Sequence, residues 1–213
     1  LFKDAQIAAL QYQINPHFLY NTLQTLESIA EVKEVTEIQK IAKNLGDLLR
    51  YNIRGASMVK LEQELKYAET YFDIERIRFS ESLTYLFDIS PEAKSCMIPK
   101  FIIQPVVENC FVHGLRKKTG EKWVRIFAYI ENHILYICIK NNGIPISKEK
   151  LNLINAKLRS IDQNESIDET KESIGLMNVQ QRILHKYGHP YGVELSTEGV
   201  VTCVTIQMPE ESK

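Results

Sequence analysis

Gln13-Ile14-Asn15-Pro16-His17-Phe18-Leu19-Tyr20-Asn21-Thr22-Leu23 sets a proline beside a histidine inside an otherwise helical pattern. Upstream, Ile7, Leu10 and Ile14 recur at helical spacing; downstream, Leu19, Leu23, Leu26 and Ala30 continue on a displaced stripe. Pro16 marks the displacement. It has no N–H to offer the carbonyl of Tyr12 and its ring crowds that turn, so the pattern predicts a bend just before His17. A bend there leaves His17 at the edge of the stripe, open to solvent. Free imidazole titrates near pH ~6.5 and presents a neutral, nucleophilic nitrogen around neutrality. A lone helical histidine usually only packs, and it is the flanking residues that set this one apart as a candidate nucleophile. No carboxylate directly follows it, and Glu27 lies roughly two to three turns on, so the sequence names no group that orients the ring.

Outward from this stretch, Ile38, Ile41, Leu45, Leu48 and Asn52 give a second helical stripe, and a short polar link makes the two a hairpin. Two helices bury too little surface alone, so pairing with a second copy into a four-helix bundle is expected, and with it a homodimer. Gly55 to Ser57 closes this unit. Leu61, Leu65, Ala68 and Phe72 then begin a third helix, with Glu62 and Glu64 in its first turn, where carboxylates favour the positive helix end. From Leu83 the period changes to two. Leu83–Ile89, Val124–Ile130 and Ile134–Lys140 read as strands, the last two joined around Glu131-Asn132. Helices are expected after Pro105 with Gly114 as a stop, from Lys148 to Ile161, and from Ser173 to Tyr187 with Gly188 as a stop. Val193–Ser196 and Val200–Met208 form a final hairpin through Glu198-Gly199. Between the last two helices, 162–173 is polar, acidic and aperiodic, and reads as a mobile loop.

The 213 residues, 44% hydrophobic and 25% charged, suit a globular protein of one or two domains. A net charge of -1 provides no basic field, so no nucleic-acid partner and no electrostatic membrane contact are implied. Cys96, Cys110, Cys138 and Cys203 form no Cys-x-x-Cys pair and are expected to be reduced core thiols. His185 and His189 are four apart, but Gly188 interrupts the helix and no third ligand is evident. Leu1 in place of methionine, and the lack of any stretch of roughly 18 apolar residues, lead to the expectation of a piece cut from a longer protein.

Two further constellations carry chemistry. In Gln104-Pro105-Val106-Val107-Glu108-Asn109-Cys110-Phe111-Val112-His113-Gly114, Asn109 and His113 share a helix face and can point into one cleft. In Ser173-Ile174-Gly175-Leu176-Met177-Asn178-Val179-Gln180-Gln181-Arg182-Ile183, a glycine opens a helix whose unpaired N–H groups suit a phosphate. By itself each is an ordinary helix feature.

Asn15 to Asn21 resembles the phosphoacceptor motif of the LytS/YesM-type sensor histidine kinases, Asn-Pro-His-Phe-(Leu/Tyr)-(Tyr/Phe)-Asn, and the two later stretches resemble that family's N box and G2 box. The resemblance runs over nearly the whole chain. It implies an α+β fold: an N-terminal helical hairpin forming a dimeric four-helix bundle, then a GHKL-type α/β sandwich, the Bergerat ATP fold shared with gyrase and the Hsp90 chaperones. The domains expected are 1–58 for the phosphoacceptor helices, 59–82 for a connector helix and 83–213 for ATP binding. It implies ATP and Mg²⁺ as cofactors, with Asn109 as the metal ligand, His113 near the phosphates, and Gly143, Gly175, Leu176 and Asn178 around the nucleotide. Magnesium prefers oxygen ligands and shares phosphates and waters, so one amide oxygen suffices. Glu108 is the nearest carboxylate and the candidate second catalytic group beside His17. The acidic loop at 162–173 would be the lid.

The implied function is autophosphorylation of His17 and transfer to the aspartate of a response-regulator receiver domain, by the cytoplasmic portion of a protein held in the inner or plasma membrane through segments absent here. Departures from the family pattern cluster at the nucleotide. Where Asp-x-Gly-x-Gly is expected, the chain has Asn141-Asn142-Gly143-Ile144-Pro145; Ser173 replaces the first G2 glycine, and Val112 a lysine. With Asn141 for the aspartate that receives the adenine amino group, weaker ATP binding is expected. Because an amide can turn over, poorer discrimination against guanine is expected too. These departures keep a degenerate, non-enzymatic dimeric relay with weak nucleotide binding as the alternative. A gyrase-like ATP-driven clamp is a third reading, disfavoured by the histidine hairpin.

Overall fold

The computed structural model describes residues 16–53, 56–79, 82–161 and 174–211. Ile7, Leu10, Ile14, the turn expected to bend before His17, Ser173 and the acidic loop lie outside the described residues. The chain divides into two compact units, Leu1–Gly55 with Glu69–Arg78, and Ala56–Ala68 with Phe79–Lys213.

In the first unit, α1 (Pro16–Val32) and α2 (Thr36–Ile53) form the hairpin that the two stripes predict. The turn closes through Lys33 N–H to the Ile29 carbonyl at 3.0 Å and Val35 N–H to the Ala30 carbonyl at 2.9 Å, with Glu34 left-handed at φ 56°. At the far end, the Arg50 guanidinium lies 4.8 Å from the Tyr20 ring centroid and donates to its hydroxyl. Gly46 faces the same ring, where a Cβ would sit in ordinary contact at 3.8 Å. The residues buried along the hairpin are small or few: Ala30, Ala42, Gly46 and Leu48. Leu19, Leu26, Ile29, Ile38 and Leu45 remain exposed, so five of the larger apolar side chains of the hairpin point outward, while Leu23 and Ile41 are half-buried.

The third helix, α3 (Leu61–Arg78), follows a three-residue strand β1 (Met58–Lys60). Its first-turn acids do different things. Glu62 is exposed and pairs with Lys60 at 3.4 Å, whereas Glu64 is buried and accepts the N–H groups of Phe101, Ile102 and Ile103 at 2.9, 3.2 and 3.1 Å. Glu64 thus serves the start of a different helix from its own, a correction to the dipole role read from sequence. Its grip also explains how Phe101 is held at φ 65°, a left-handed conformation that disfavours a bulky side chain.

The second unit is an α/β sandwich. Strand β2 (Leu83–Ile89), helix α4 (Pro91–Ser95) and strand β3 (Met97–Pro99) lead to α5 (Gln104–Asn109), which runs on as a π-helical segment Cys110–Leu115. Then come β4 (Lys122–Glu131), β5 (Ile134–Asn141), α6 (Lys148–Ser160), α7 (Ile174–Tyr187), β6 (Gly192–Glu198) and β7 (Val201–Pro209). The sheet order is β2-β4-β5-β7-β6, with β2 parallel to β4 and the other pairs antiparallel, while β1 pairs with β3. Alternation puts Val124, Ile126, Ala128, Leu135, Ile137, Ile139, Val204 and Ile206 on one buried face.

Two expectations are overturned. Gly114 does not stop its helix, which continues to Leu115; it is there because a side chain would meet Asn141 Oδ1 at 3.0 Å and the Gly143 Cα at 3.4 Å. Of the four cysteines, Cys96 and Cys110 are buried, but Cys138 and Cys203 are not core residues: strand alternation turns them to the other face, where they are half-exposed. Gly188, by contrast, does end α7, at φ 69° and with its N–H on the Leu184 carbonyl at 2.9 Å. No helix among the described residues is long and apolar enough to cross a membrane.

Candidate functional site

His17 lies in the first turn of α1, exposed, with Nδ1 3.2 Å from Asn21 Nδ2. The two are four residues apart on one helix face. This amide is a group against the ring that sequence reading did not find. The search there was for a carboxylate, and the signal was the i,i+4 spacing inside the motif itself.

In the second unit, a cavity of about 340 Å³ opens between α5, the loop after β5, α6 and the start of α7. Asn109, His113, Asn141 and Leu176 line it, as does Pro145. Sequence reasoning missed Cys110, Lys150, Ile154 and Thr202, which complete the wall. The strand alternation that brings Thr202 opposite Asn141 was the available signal. Not every predicted residue lines the cavity. Glu108 is turned to Gln104, whose Nε2 donates to it at 2.8 Å, and Asn178 is exposed on α7. Gly175 abuts the site from behind Asn109: a Cβ there would lie 3.3 Å from Asn109 Nδ2 and 3.3 Å from Pro105 Cβ.

Gly143 has a structural reason more stringent than ligand approach. A Cβ at 143 would sit 2.5 Å from the Gly114 Cα, so two backbones touch where the loop crosses α5. The Ile144 N–H to Gly114 carbonyl bond, 3.1 Å, seals the crossing. Next to it, Asn142 accepts the Trp123 N–H at 2.8 Å and donates to the Glu121 carbonyl at 3.1 Å, anchoring the loop to the start of β4.

Asn141 is buried with both ends of its amide engaged: Nδ2 donates to Cys110 Sγ at 3.3 Å and Oδ1 accepts the Gly143 N–H at 3.0 Å. Turning the amide over would set two donors against each other at Gly143, a penalty of ~1 to 3 kcal/mol for the stranded buried donor. The free turning expected from sequence is therefore corrected, since the oxygen is held in one orientation. Burial pushes the Cys110 thiol up to about 12, despite the opposing Asn141 hydrogen bond, so it stays a protonated neighbour.

Of the other departures, Val112 is exposed and does not line the cavity, while Asn141 and Pro145 do. Apolar walls of Val106, Ile144, Ile146, Ile154 and Leu195 beside a few amides suit a flat heterocycle with polar edges. Asn109 fits Mg²⁺: its half-exposed amide lines the cavity and makes no hydrogen bond among the described residues. Those residues hold no cluster of three or more His, Cys, Asp or Glu side chains, so the remaining ligands would be phosphate and water oxygens.

Comparison with known proteins agrees with this geometry. Residues 5–83 match the family described as histidine kinase, and residues 99–212 that described as histidine kinase-, DNA gyrase B-, and HSP90-like ATPase. The sensor histidine kinase YesM of Bacillus subtilis strain 168 is 33% identical over 93% of this chain and 32% of its own length. The sensor protein LytS of Staphylococcus haemolyticus is 29% identical over 100% of this chain and 35% of its own length. The chain thus spans about a third of these relatives. Among solved structures, the catalytic domain of the histidine kinase ThkA superposes with a TM-score of 0.51 at 12% identity, covering 74% of this chain and 97% of that domain, a likeness of fold.

Proposed function

This chain belongs to the LytS/YesM-type sensor histidine kinases, and we propose that it moves the γ-phosphoryl group of ATP onto His17 and from there onto an aspartate of a response-regulator receiver domain. The observation that carries this reading is the exposed His17 imidazole held at Nδ1 by Asn21. An amide has a donor end and an acceptor end. With Nδ2 toward the ring, Nδ1 accepts and Nε2 carries the proton; with the amide turned, Oδ1 accepts Nδ1–H and Nε2 presents its lone pair. In the second state Nε2 attacks the γ-phosphorus in line, the bond to the ADP oxygen breaks, and the Nδ1–H of the newly cationic ring remains on Oδ1. Asn21 is therefore a positioning residue, and its amide serves the ring before and after transfer.

In the cavity, Asn141 Oδ1 keeps a second lone pair for the adenine amino group, and His113 and Lys150 lie along the wall where the phosphates are expected. Asn109 would hold Mg²⁺, which when bound neutralises charge on the phosphate oxygens. Homodimerisation is supported by the exposed row Leu19, Leu26, Ile29, Ile38 and Leu45 on the hairpin. Attachment to a membrane would come from parts of the protein outside this chain.

The test is incubation with Mg-ATP and measurement of acid-labile phosphate on the chain and on His17→Gln. Label on His17 alone is expected; label mapped to His113, His133, His185 or His189 would overturn the assignment. Asn21→Ala should slow labelling about tenfold, the value of one hydrogen bond of ~1.4 kcal/mol, without changing ATP affinity, and Asn21→Asp should restore the rate. A rate untouched by Asn21→Ala would remove Asn21 from the mechanism.

A further inference from the structure

The solvent-side face of the sheet carries two thiols that phosphoryl transfer does not use. Cys138 on β5 stands opposite Thr205 of β7, and Cys203 on β7 stands opposite Lys140 of β5, so the cysteines are diagonal neighbours on one face of adjacent antiparallel strands. Both are half-exposed. Their sulfurs approach the same hydroxyl, Cys138 Sγ at 3.8 Å and Cys203 Sγ at 3.7 Å from Thr205 Oγ1, which bridges the two thiols.

The partners of the two sulfurs divide their roles. The neighbouring Cys138 thiol, opposed by burial and then helped by the Thr205 hydroxyl, the Lys140 ammonium and the Ser196 hydroxyl, holds Cys203 below the usual thiol range, at about 6. The proximity of Cys203, and burial after it, push Cys138 far up. A thiolate and a protonated thiol on either side of one hydroxyl, both reachable from solvent, are the nucleophile and the resolving group of a dithiol. Cys96 and Cys110 are buried and pushed up by desolvation, which gives the same chain an internal reference for unreactive thiols.

We propose that Cys203 and Cys138 form a peroxide-reactive dithiol that closes to an intrachain disulfide between β5 and β7. The Cys203 thiolate attacks one oxygen of hydrogen peroxide, the O–O bond breaks, and the hydroxide released takes up a proton to become water. The resulting sulfenic acid is attacked at sulfur by Cys138, which gives up its proton; the S–O bond breaks and a second water leaves. Two thiols lose two electrons and one peroxide becomes two waters. Diagonal neighbours stand ~7 to 8 Å apart at Cα, and a disulfide spans ~4.4 to 6.8 Å, so closure draws the two strands together. It does so beside the Asn141–Thr202 pair, two residues of the cavity wall. Weaker nucleotide binding in the oxidised form is therefore expected, and this consequence alone rests on the nucleotide reading above.

The experiment is titration of the reduced chain with hydrogen peroxide, followed by thiol counting and peptide mapping. The expected product links the Cys138 and Cys203 peptides within one chain while Cys96 and Cys110 stay reduced. Cys138→Ser should stop at a dimedone-trappable sulfenic acid on Cys203, and Cys203→Ser should slow oxidation at least tenfold. In the unmodified chain, alkylation of Cys203 should persist down to about pH 6. Oxidation of Cys203 no faster than Cys96, a disulfide between chains, or sulfinic acid without the link would overturn the proposal. Formation of the link with unchanged ATP binding would leave the dithiol standing and remove its connection to the cavity.

Discussion

His17 in the hairpin is held by a residue four positions along its own helix, whereas Asn141 in the sheet unit is held by Cys110, 31 positions away, and by Gly143 in the following turn. The first arrangement is exposed and leaves the ring accessible from outside. The second is buried, and its neighbours are locked by further long-range contacts: Gly114 against Gly143, Asn142 on β4, Glu64 on 101–103. The difference matches the roles proposed for each. A phosphoacceptor must be reached by more than one partner, and a base reader must keep one orientation.

If the sheet unit depends on such remote contacts, removing one far from the cavity should produce the largest loss. Glu64→Ala strands two buried N–H groups and a half-buried one, at ~1 to 3 kcal/mol for each buried group. A loss of ~3 kcal/mol or more of unfolding free energy is expected, from denaturant titration followed through Trp123. A loss under ~1 kcal/mol would show that water replaces the carboxylate and that the contact is incidental. Gly143→Ala should come next, at ~1 to 3 kcal/mol for overpacking, together with loss of nucleotide binding, because the clash is with backbone. Unchanged ATP affinity in that variant would detach the Gly114–Gly143 crossing from the site.

The hairpin should fail differently. Leu45 is 40% exposed, and what it can still bury in a dimer is worth about 1 kcal/mol per copy, so about 2 kcal/mol per pair. Leu45→Asp adds a desolvated charge, and dissociation should rise more than tenfold by sedimentation, with the helix content of each chain retained. A monomer for the unmodified chain at concentrations well above micromolar would break the comparison, since the exposed row would then need another explanation.

The two regions were also unequally legible in the sequence. Period-three-to-four spacing located the second helix of the hairpin, and period-two runs the five strands of the large sheet, near their observed limits, because burial on one face imposes those periods directly; the short strands β1 and β3 went unread. His17 and its motif are contiguous, so local reading reached them. Glu64 was read by its position in its own helix, and nothing local says that its carboxylate caps 101–103, across 37 to 39 positions. Gly114 looked like a stop because glycine so often is one; only the backbone of residue 143 shows why it lies inside the helix. Cys138 and Cys203 were taken for core residues although the alternation that buries Ile137 and Ile139 already sends Cys138 to the opposite face.

The smallest expected effect is at Asn141, where the two styles of holding a side chain make opposite predictions. A loosely held amide, like that of Asn21, would accept from adenine or donate to the carbonyl of guanine as needed. An amide pinned through Gly143 N–H and Cys110 Sγ offers only its oxygen. ATP should then be preferred over GTP already in the unmodified chain, by a neutral hydrogen bond worth ~0.5 to 1.5 kcal/mol. Asn141→Asp keeps the geometry, since Gly143 N–H still donates and the protonated Cys110 thiol can turn its S–H to the new oxygen. The gain is the difference between a charged and a neutral acceptor, ~1 to 2 kcal/mol, or about 5- to 30-fold tighter ATP. GTP should remain the weaker ligand of both. Calorimetry of the two proteins with the two nucleotides separates the cases. Equal ATP and GTP affinity in the unmodified chain would mean that the amide turns despite Gly143, and no gain for ATP with aspartate would mean that residue 141 does not read the base.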